Sequence, residues 1–282
     1  MPHVLAVHGI AQQFKGEETL LKDWRPALLD GLRLAQYDGA VEVDFAFYGD
    51  LFRKSGTMAG AEPQLRPEDL SEYEGKLLIE LWREAARVDP TIIPPDAKTM
   101  LYVPDLVRRA FLALSTKRFV ASLTEKTVIL RFVNQVYRYF NEPKLRAEAQ
   151  RRVAVKVNPD THTIVAHSLG SVVAYEALCA NPGWPVRTLV TIGSPLGIPN
   201  LVFDRLVPSP THFLGAWPAC LARWTNISAK GDFVALQRRL EKCFGDQVVD
   251  VAVDNEFDAH DALRYLTARE TGQAIRDGLA SN

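Results

Sequence analysis

The sequence predicts an α/β fold: a mostly parallel sheet of about six strands, helices on both faces, and an inserted helical cap. Three observations predict it. Short apolar runs with little alternation recur between helical patterns, as strands buried on both faces of a parallel sheet do. Several of these runs end directly in a glycine-containing turn, such as His8-Gly9-Ile10 and Gly193-Ser194-Pro195. Between residues 51 and 142 the pattern changes to successive amphipathic stripes, too long and too helical for an ordinary connection.

Taken in order, Val4 to Val7 is the first strand, and His8-Gly9-Ile10 follows it at once. Glu17 to Leu34 reads as a helix with Leu20, Leu21, Trp24, Leu28 and Leu32 near one face. Val41 to Tyr48 is the second strand, ended by Gly49-Asp50. Residues 53–67, rich in Gly, Pro and charge, read as a loop. Three helical stripes follow. Leu77, Leu78, Leu81, Trp82 and Ala85 mark the first. Val103, Leu106, Val107, Ala110, Phe111 and Leu114 mark the second, and Ile129, Phe132, Val133, Val136, Tyr137 and Phe140 the third. Their larger share is expected to pack inward, with some apolar surface left to line a substrate pocket or touch lipid.

Residues 144–152 continue as a helix. Thr161 to Ala166 is the central strand, and the helix after it runs to about Ala180, where Asn181-Pro182-Gly183 stops it. Val186 to Ile192 is the next strand. Residues 196–222 carry prolines and aromatics without a period and read as a second irregular excursion. Trp224 to Ser228 is a short strand, Phe233 to Cys243 a helix, and Val248 to Val253 the last strand. His260 opens the final helix. The expected organisation is a sheet core over 1–50 and 143–282, a helical cap over 51–142, and a second cap segment over 196–222.

A hydrophobic content of 47% and a charged content of 24% indicate a globular chain rather than a disordered one. A net charge of -1 argues against broad electrostatic capture of nucleic acid. The three cysteines, Cys179, Cys220 and Cys243, are far apart and form no C-x-x-C pair. No disulfide framework is expected, and a reducing, cytoplasmic setting is. The chain opens in a strand, so no secretory signal is expected. No His/Cys/Asp/Glu group has metal-ligand spacing, and neither dinucleotide nor P-loop glycine patterns occur, so no metal or cofactor is expected.

The stretch that carries chemistry is Ala166-His167-Ser168-Leu169-Gly170. An apolar run leads into it and a helix-compatible run leaves it. This is the sequence form of a nucleophile elbow, a tight strand-to-helix turn that holds a serine above the edge of a parallel sheet. The turn crowds the backbone, so small residues flank the serine two positions either way; Ala166 stands where the usual pattern has glycine. The competing reading is an ordinary turn with Ser168 as a helix N-cap. His8-Gly9-Ile10 lies at the carboxyl end of the first strand, where open α/β sheets bind ligands. Its backbone suits an oxyanion donor, with the Ile10 N–H the best candidate.

Taken together, the His-Gly-Ile opening, the Ala-His-Ser-Leu-Gly elbow and Thr-Ile-Gly-Ser-Pro-Leu at 191–196 resemble serine hydrolases of the α/β-hydrolase superfamily. Within it they are most similar to the lipase/esterase branch, including lipases of the glycosylphosphatidylinositol-deacylase type. The resemblance covers about 1–50 and 144–282 and leaves the helical insertion out. The chain order Ser168, Asp232, His260 is also that of the superfamily. The resemblance implies a triad of nucleophile Ser168, base His260 and orienting acid Asp232. It implies oxyanion donors on Ile10 and Leu169, and His8, Gly9, His167 and Ser194 around the substrate. Asp204, Asp254 and Asp258 remain rivals for the acid. His167 is expected to be packed and His8 to shape the oxyanion loop; His3, His162 and His212 are expected to be structural or exposed.

The expected activity is hydrolysis of a carboxylic ester, acyl-ester or lipid-like, through an acyl-enzyme. The same triad could serve a thioester, amide or peptide bond. A hydrolase-fold module that binds a partner through its insertion, without catalysis, is the reading from another class. Peripheral membrane contact is a further expectation, from the stripes at 103–114 and 129–140 with Arg108, Arg109, Lys117, Arg118, Arg131 and Arg138 nearby.

Overall fold

The computed structural model describes residues 1–53, 65–95, 104–115, 123–256 and 258–280. Val103, Lys117, Arg118 and most of the loop expected at 53–67 lie outside them. The fold is α/β, with one six-stranded sheet in the order β2-β1-β3-β4-β5-β6. The strands are β1 (His3–Val7), β2 (Glu42–Ala46), β3 (Thr161–His167), β4 (Thr188–Ile192), β5 (Arg223–Ala229) and β6 (Val248–Val253), and every pairing is parallel. The chain leaves β1 toward β2 on one side and returns past it to β3 on the other. That reversal opens a crevice at the carboxyl ends of β1 and β3, the place where doubly wound sheets bind ligands.

Strand side chains alternate between two apolar layers. Leu5, Val7, Ile164, Ala166, Leu189 and Trp224 face one layer. It is closed by α2 (Glu72–Val88), α3 (Pro104–Leu114), α4 (Leu123–Asn141), α5 (Pro143–Ala154) and α6 (Leu169–Ala180). Val4, Ala6, Val43, Phe45, Val165, Val190 and Ile227 face the other, under α1 (Glu17–Leu34), α8 (Ala262–Thr267) and α9 (Arg269–Leu279). Covered on both faces, β1 and β4 are buried throughout; each fully buried Val, Leu or Ile contributes about 1.5–3 kcal/mol.

The stripes of the segment between β2 and β3 turn inward. Leu106, Val107, Ala110 and Leu114 of α3, and Ile129, Phe132, Val133 and Val136 of α4, are all buried in the first layer. The buried Glu176 of α6 ties this segment to the sheet. It accepts from the Tyr139 hydroxyl of α4 at 2.7 Å, from Gln150 of α5 and the Val207 amide at 2.9 Å each, and from the Arg146 guanidinium. A buried carboxylate persists only when its oxygens are saturated in this way. No described helix is long and apolar enough to cross a membrane.

One element departs from the sequence reading. Phe233 to Arg239 is not helical; only Glu241–Phe244 (α7) is. The Val234 and Ala235 amides turn to Asp232 Oδ1, and Arg238 presents its carbonyl to Asn226, so the backbone bonds are spent outside a helix. Phe233, Val234, Leu236 and Leu240 are buried as loop residues, and their spacing imitates a helical stripe. The final helix starts at Ala262 rather than His260, capped by the Asp261 carboxylate on the Leu263 amide, and it breaks at Ala268 before α9.

Candidate active site

Ser168 sits between β3 and α6 with φ 53° and ψ -131°, a conformation that a residue with a side chain seldom adopts. Such strain, of order 1–3 kcal/mol, persists only where the surroundings over-determine it. Here the Ser168 amide donates to the Ile192 carbonyl at 3.1 Å, and its carbonyl accepts from the Ser171 amide and hydroxyl. Two glycines permit the fit. A Cβ on Gly9 would lie 2.4 Å from Ser168 Cβ, and one on Gly170 would lie 2.2 Å from the His8 carbonyl oxygen. Only bare backbone lets the β1 turn approach the serine so closely.

His260 Nε2 lies 3.0 Å from Ser168 Oγ, and His260 Nδ1 lies 2.9 Å from Asp232 Oδ2. The Asp232 carboxyl is wholly buried and the imidazole is 12% exposed. Asp232 is saturated: Oδ2 also accepts from the Tyr265 hydroxyl at 2.8 Å, and Oδ1 from the Val234 and Ala235 amides at 2.8 and 3.3 Å. Tyr265 is fixed in turn by the Ala229 amide, which donates to its oxygen at 2.7 Å. Burial, and secondarily the Asp232 charge, raises the Tyr265 hydroxyl well above its ordinary 10.0, so it stays a donor. A carboxylate oxygen facing Nδ1 keeps the proton there and leaves the Nε2 lone pair for the serine.

The rival acids lie elsewhere. Asp204 holds the Asn200 amide in an exposed turn, Asp254 holds the Glu256 amide, and Asp258 meets Arg264. His167 packs at 4.6 Å centroid distance on the His260 ring, and its Nε2 donates to the His260 carbonyl at 3.1 Å. Burial, with His260 nearby, lowers it well below 6.5, so it is a neutral strut behind His260.

The β1 turn is equally constrained. The Tyr48 amide donates to His8 Nε2 at 3.0 Å, so the His8 proton resides on Nδ1, which donates to the Gly9 carbonyl at 2.7 Å. Across a trans peptide the amide points opposite to its carbonyl, so this bond aims the Ile10 N–H away from His8. Burial lowers His8 to about 4, which keeps that arrangement intact at neutral pH. The Ile10 amide meets no acceptor among the described residues. Leu169 is the first residue of α6, so its amide has no partner one turn back and sits at the positive end of the helix dipole.

A cleft of about 240 Å³ opens beside His260, bounded by Ile10, Gln12, Trp24, Val128, His167 and Leu263 among others. Of the residues expected around a substrate, His167 borders this cleft and His8, Gly9 and Ser194 do not. Ser194 is buried, bonded to Ser171 Oγ at 2.7 Å and to the Leu196 amide, which pins the β4 turn to α6. Elsewhere, His3 bonds Thr161, His162 faces the Pro185 carbonyl, and His212 is exposed. Among the described residues no group of three His, Cys, Asp or Glu side chains could hold a metal ion.

Tyr265 and Gln135 are the site neighbours that the sequence reading missed. Each is a single polar residue in a helical stripe, and nothing local distinguishes it from an ordinary face residue. No family model matches the chain, and neither curated proteins nor solved structures contain a significant match to it.

Proposed function

We propose that the chain is a serine hydrolase of the α/β-hydrolase kind that cleaves carboxylic esters, acyl-ester or lipid-like, through an acyl-enzyme. The observation that carries this reading is the unbroken chain Ser168 Oγ, His260 Nε2, His260 Nδ1, Asp232 Oδ2, with spacings of 3.0 and 2.9 Å. A serine hydroxyl is a weak nucleophile until a base takes its proton, and this chain supplies the base and its orienting carboxylate. The strained elbow supports the reading further, as do the amides of Ile10 and Leu169, which meet no acceptor among the described residues.

In the proposed reaction Ser168 Oγ attacks the ester carbonyl carbon while its proton passes to His260 Nε2. The carbonyl π electrons move onto oxygen, which the Ile10 and Leu169 amides stabilise; each such donor is worth about 3 kcal/mol in comparable sites. The C–O bond to the alcohol then breaks as His260 returns the proton to the departing oxygen. Water, deprotonated by the same nitrogen, attacks the acyl-enzyme and releases the acid and Ser168.

Residues 51–142 act in this reading as a cap that shapes the acyl site. Val128 of α4 borders the cleft, and Phe132 meets Phe233 at 6.2 Å, which meets the His260 ring at 5.7 Å. The test is turnover of a short p-nitrophenyl ester. Ser168→Ala should abolish it while the far-UV circular dichroism stays unchanged; turnover equal to the parent would remove the reading.

A further inference from the structure

The turn after β1 is held from several directions at once. The Tyr48 hydroxyl donates to the His8 carbonyl at 2.6 Å, His8 Nδ1 to the Gly9 carbonyl at 2.7 Å, and Gln12 Nε2 to the Ile10 carbonyl at 3.1 Å. On the other side of the Ile10–Ala11 peptide, the Ala11 amide donates to Gln135 Oε1 at 3.2 Å. Gln135 belongs to α4, 124 residues further along the chain, and is 4% exposed. Its Nε2 donates to Gln13 Oε1 at 3.1 Å, which sets which end of the amide faces Ala11. Ala11 itself has φ 61°, a left-handed conformation.

We propose that Gln135 is a positioning residue for the oxyanion turn, so that the helical insertion takes part in transition-state stabilisation. The proposal rests on the hydrolase reading and on Ile10 as an oxyanion donor. Two planar peptide groups flank the Ile10 Cα. His8 holds the first through the Gly9 carbonyl; Gln12 and Gln135 hold the second through its two ends. With both planes fixed, φ and ψ of Ile10 are fixed, and so is the direction of its N–H. A donor fixed beforehand needs no reorganisation when charge develops on the substrate oxygen. Gln135 touches no reacting atom; it acts through Ala11.

The test uses the full chain and a short p-nitrophenyl ester. Gln135→Met removes donor and acceptor at nearly constant volume. It should lower kcat about 10- to 100-fold with KM unchanged, the upper figure being the cost of a misplacement of about 1 Å. Affinity for phenylboronic acid, which forms a tetrahedral adduct on serine, should fall by the same factor. Gln135→Glu keeps an acceptor for the Ala11 amide and should regain most of kcat. A parental kcat in Gln135→Met, a loss confined to KM, or equal losses in the Met and Glu variants would overturn the proposal. Should Gln135→Met not fold, Gln12→Met frees the same peptide plane from its other end, and a parental kcat there overturns the proposal instead. Fluorophosphonate labelling of the parent separates the two levels. Without labelling at Ser168 or turnover, the hydrolase reading fails and this proposal with it. With labelling and an unaffected Gln135→Met, only the Gln135 proposal fails.

Discussion

The Tyr265 hydroxyl donates to Asp232 Oδ2 at 2.8 Å, the same oxygen that stands 2.9 Å from His260 Nδ1. One oxygen therefore holds both the imidazole and a tyrosine from the helix that follows it. Tyr265→Phe deletes that donor and leaves the buried Ala229 amide without its acceptor. The loss should lower stability by about 1–3 kcal/mol, read by urea unfolding. A looser Asp232 should also lower kcat severalfold with KM unchanged.

Asp232→Asn should be far more damaging than its small change of shape suggests. The Val234 and Ala235 amides at Oδ1 can only donate, so they select the side-chain oxygen of the asparagine. The NH2 group is then forced toward His260 Nδ1, which must give up its proton and hold it on Nε2 instead. In that tautomer the imidazole cannot accept from Ser168, and kcat should fall about 10³–10⁴-fold, as in the comparable substitution of a known serine protease. Asp204→Asn, Asp254→Asn and Asp258→Asn should keep parental kcat, because none of these carboxylates faces His260 in the structure.

Gly9→Ala places a Cβ 2.4 Å from Ser168 Cβ and 2.9 Å from His167 Nδ1. Backbone and serine must separate, which breaks the proposed oxyanion geometry; ester turnover should drop by about 100-fold or more, the loss expected for one oxyanion donor. Gly16→Ala is the control. It has open space around the added carbon, so its turnover should be that of the parent.

Burial lowers His8 to about 4 and His167 well below 6.5. Between the folded value and 6.5 the unfolded chain binds protons that the folded chain does not. Stability from these histidines is therefore complete above about 6.5 and is lost as pH falls toward 4. For His8 alone the loss between pH 7.5 and pH 5 should be about 2 kcal/mol, with His167 adding to it. Urea unfolding at the two pH values measures this, and equal stability at both would contradict it.

The sheet was legible because a strand covered on both faces carries its burial in its own composition. Val4 to Val7 and Thr188 to Ile192 show this, as does Glu17 to Leu34 for an amphipathic helix. Phe233 to Leu240 was misread because burial without hydrogen-bonded periodicity leaves the same apolar spacing as a helix. That Ser168, Asp232 and His260 come together was legible because each follows a strand end, and the parallel sheet gathers strand ends on one rim. So was the packing of His167, whereas Tyr265 and Gln135 were not. Their roles depend on where a distant backbone group happens to lie, such as the Ala11 amide 124 residues from its partner. His8, expected to shape the turn after β1, bonds the Gly9 carbonyl there, and Ser194 bonds Ser171 Oγ and the Leu196 amide.

In the proposed reaction His260 makes Ser168 nucleophilic. Incubation of the folded protein with a fluorophosphonate, followed by digestion and peptide mass spectrometry, tests that claim. The predicted result is one adduct, on Ser168, formed at least about 100-fold more slowly in His260→Ala, within the range that a general base contributes. An unmodified Ser168 in folded protein, or equal labelling with and without His260, would contradict the claim.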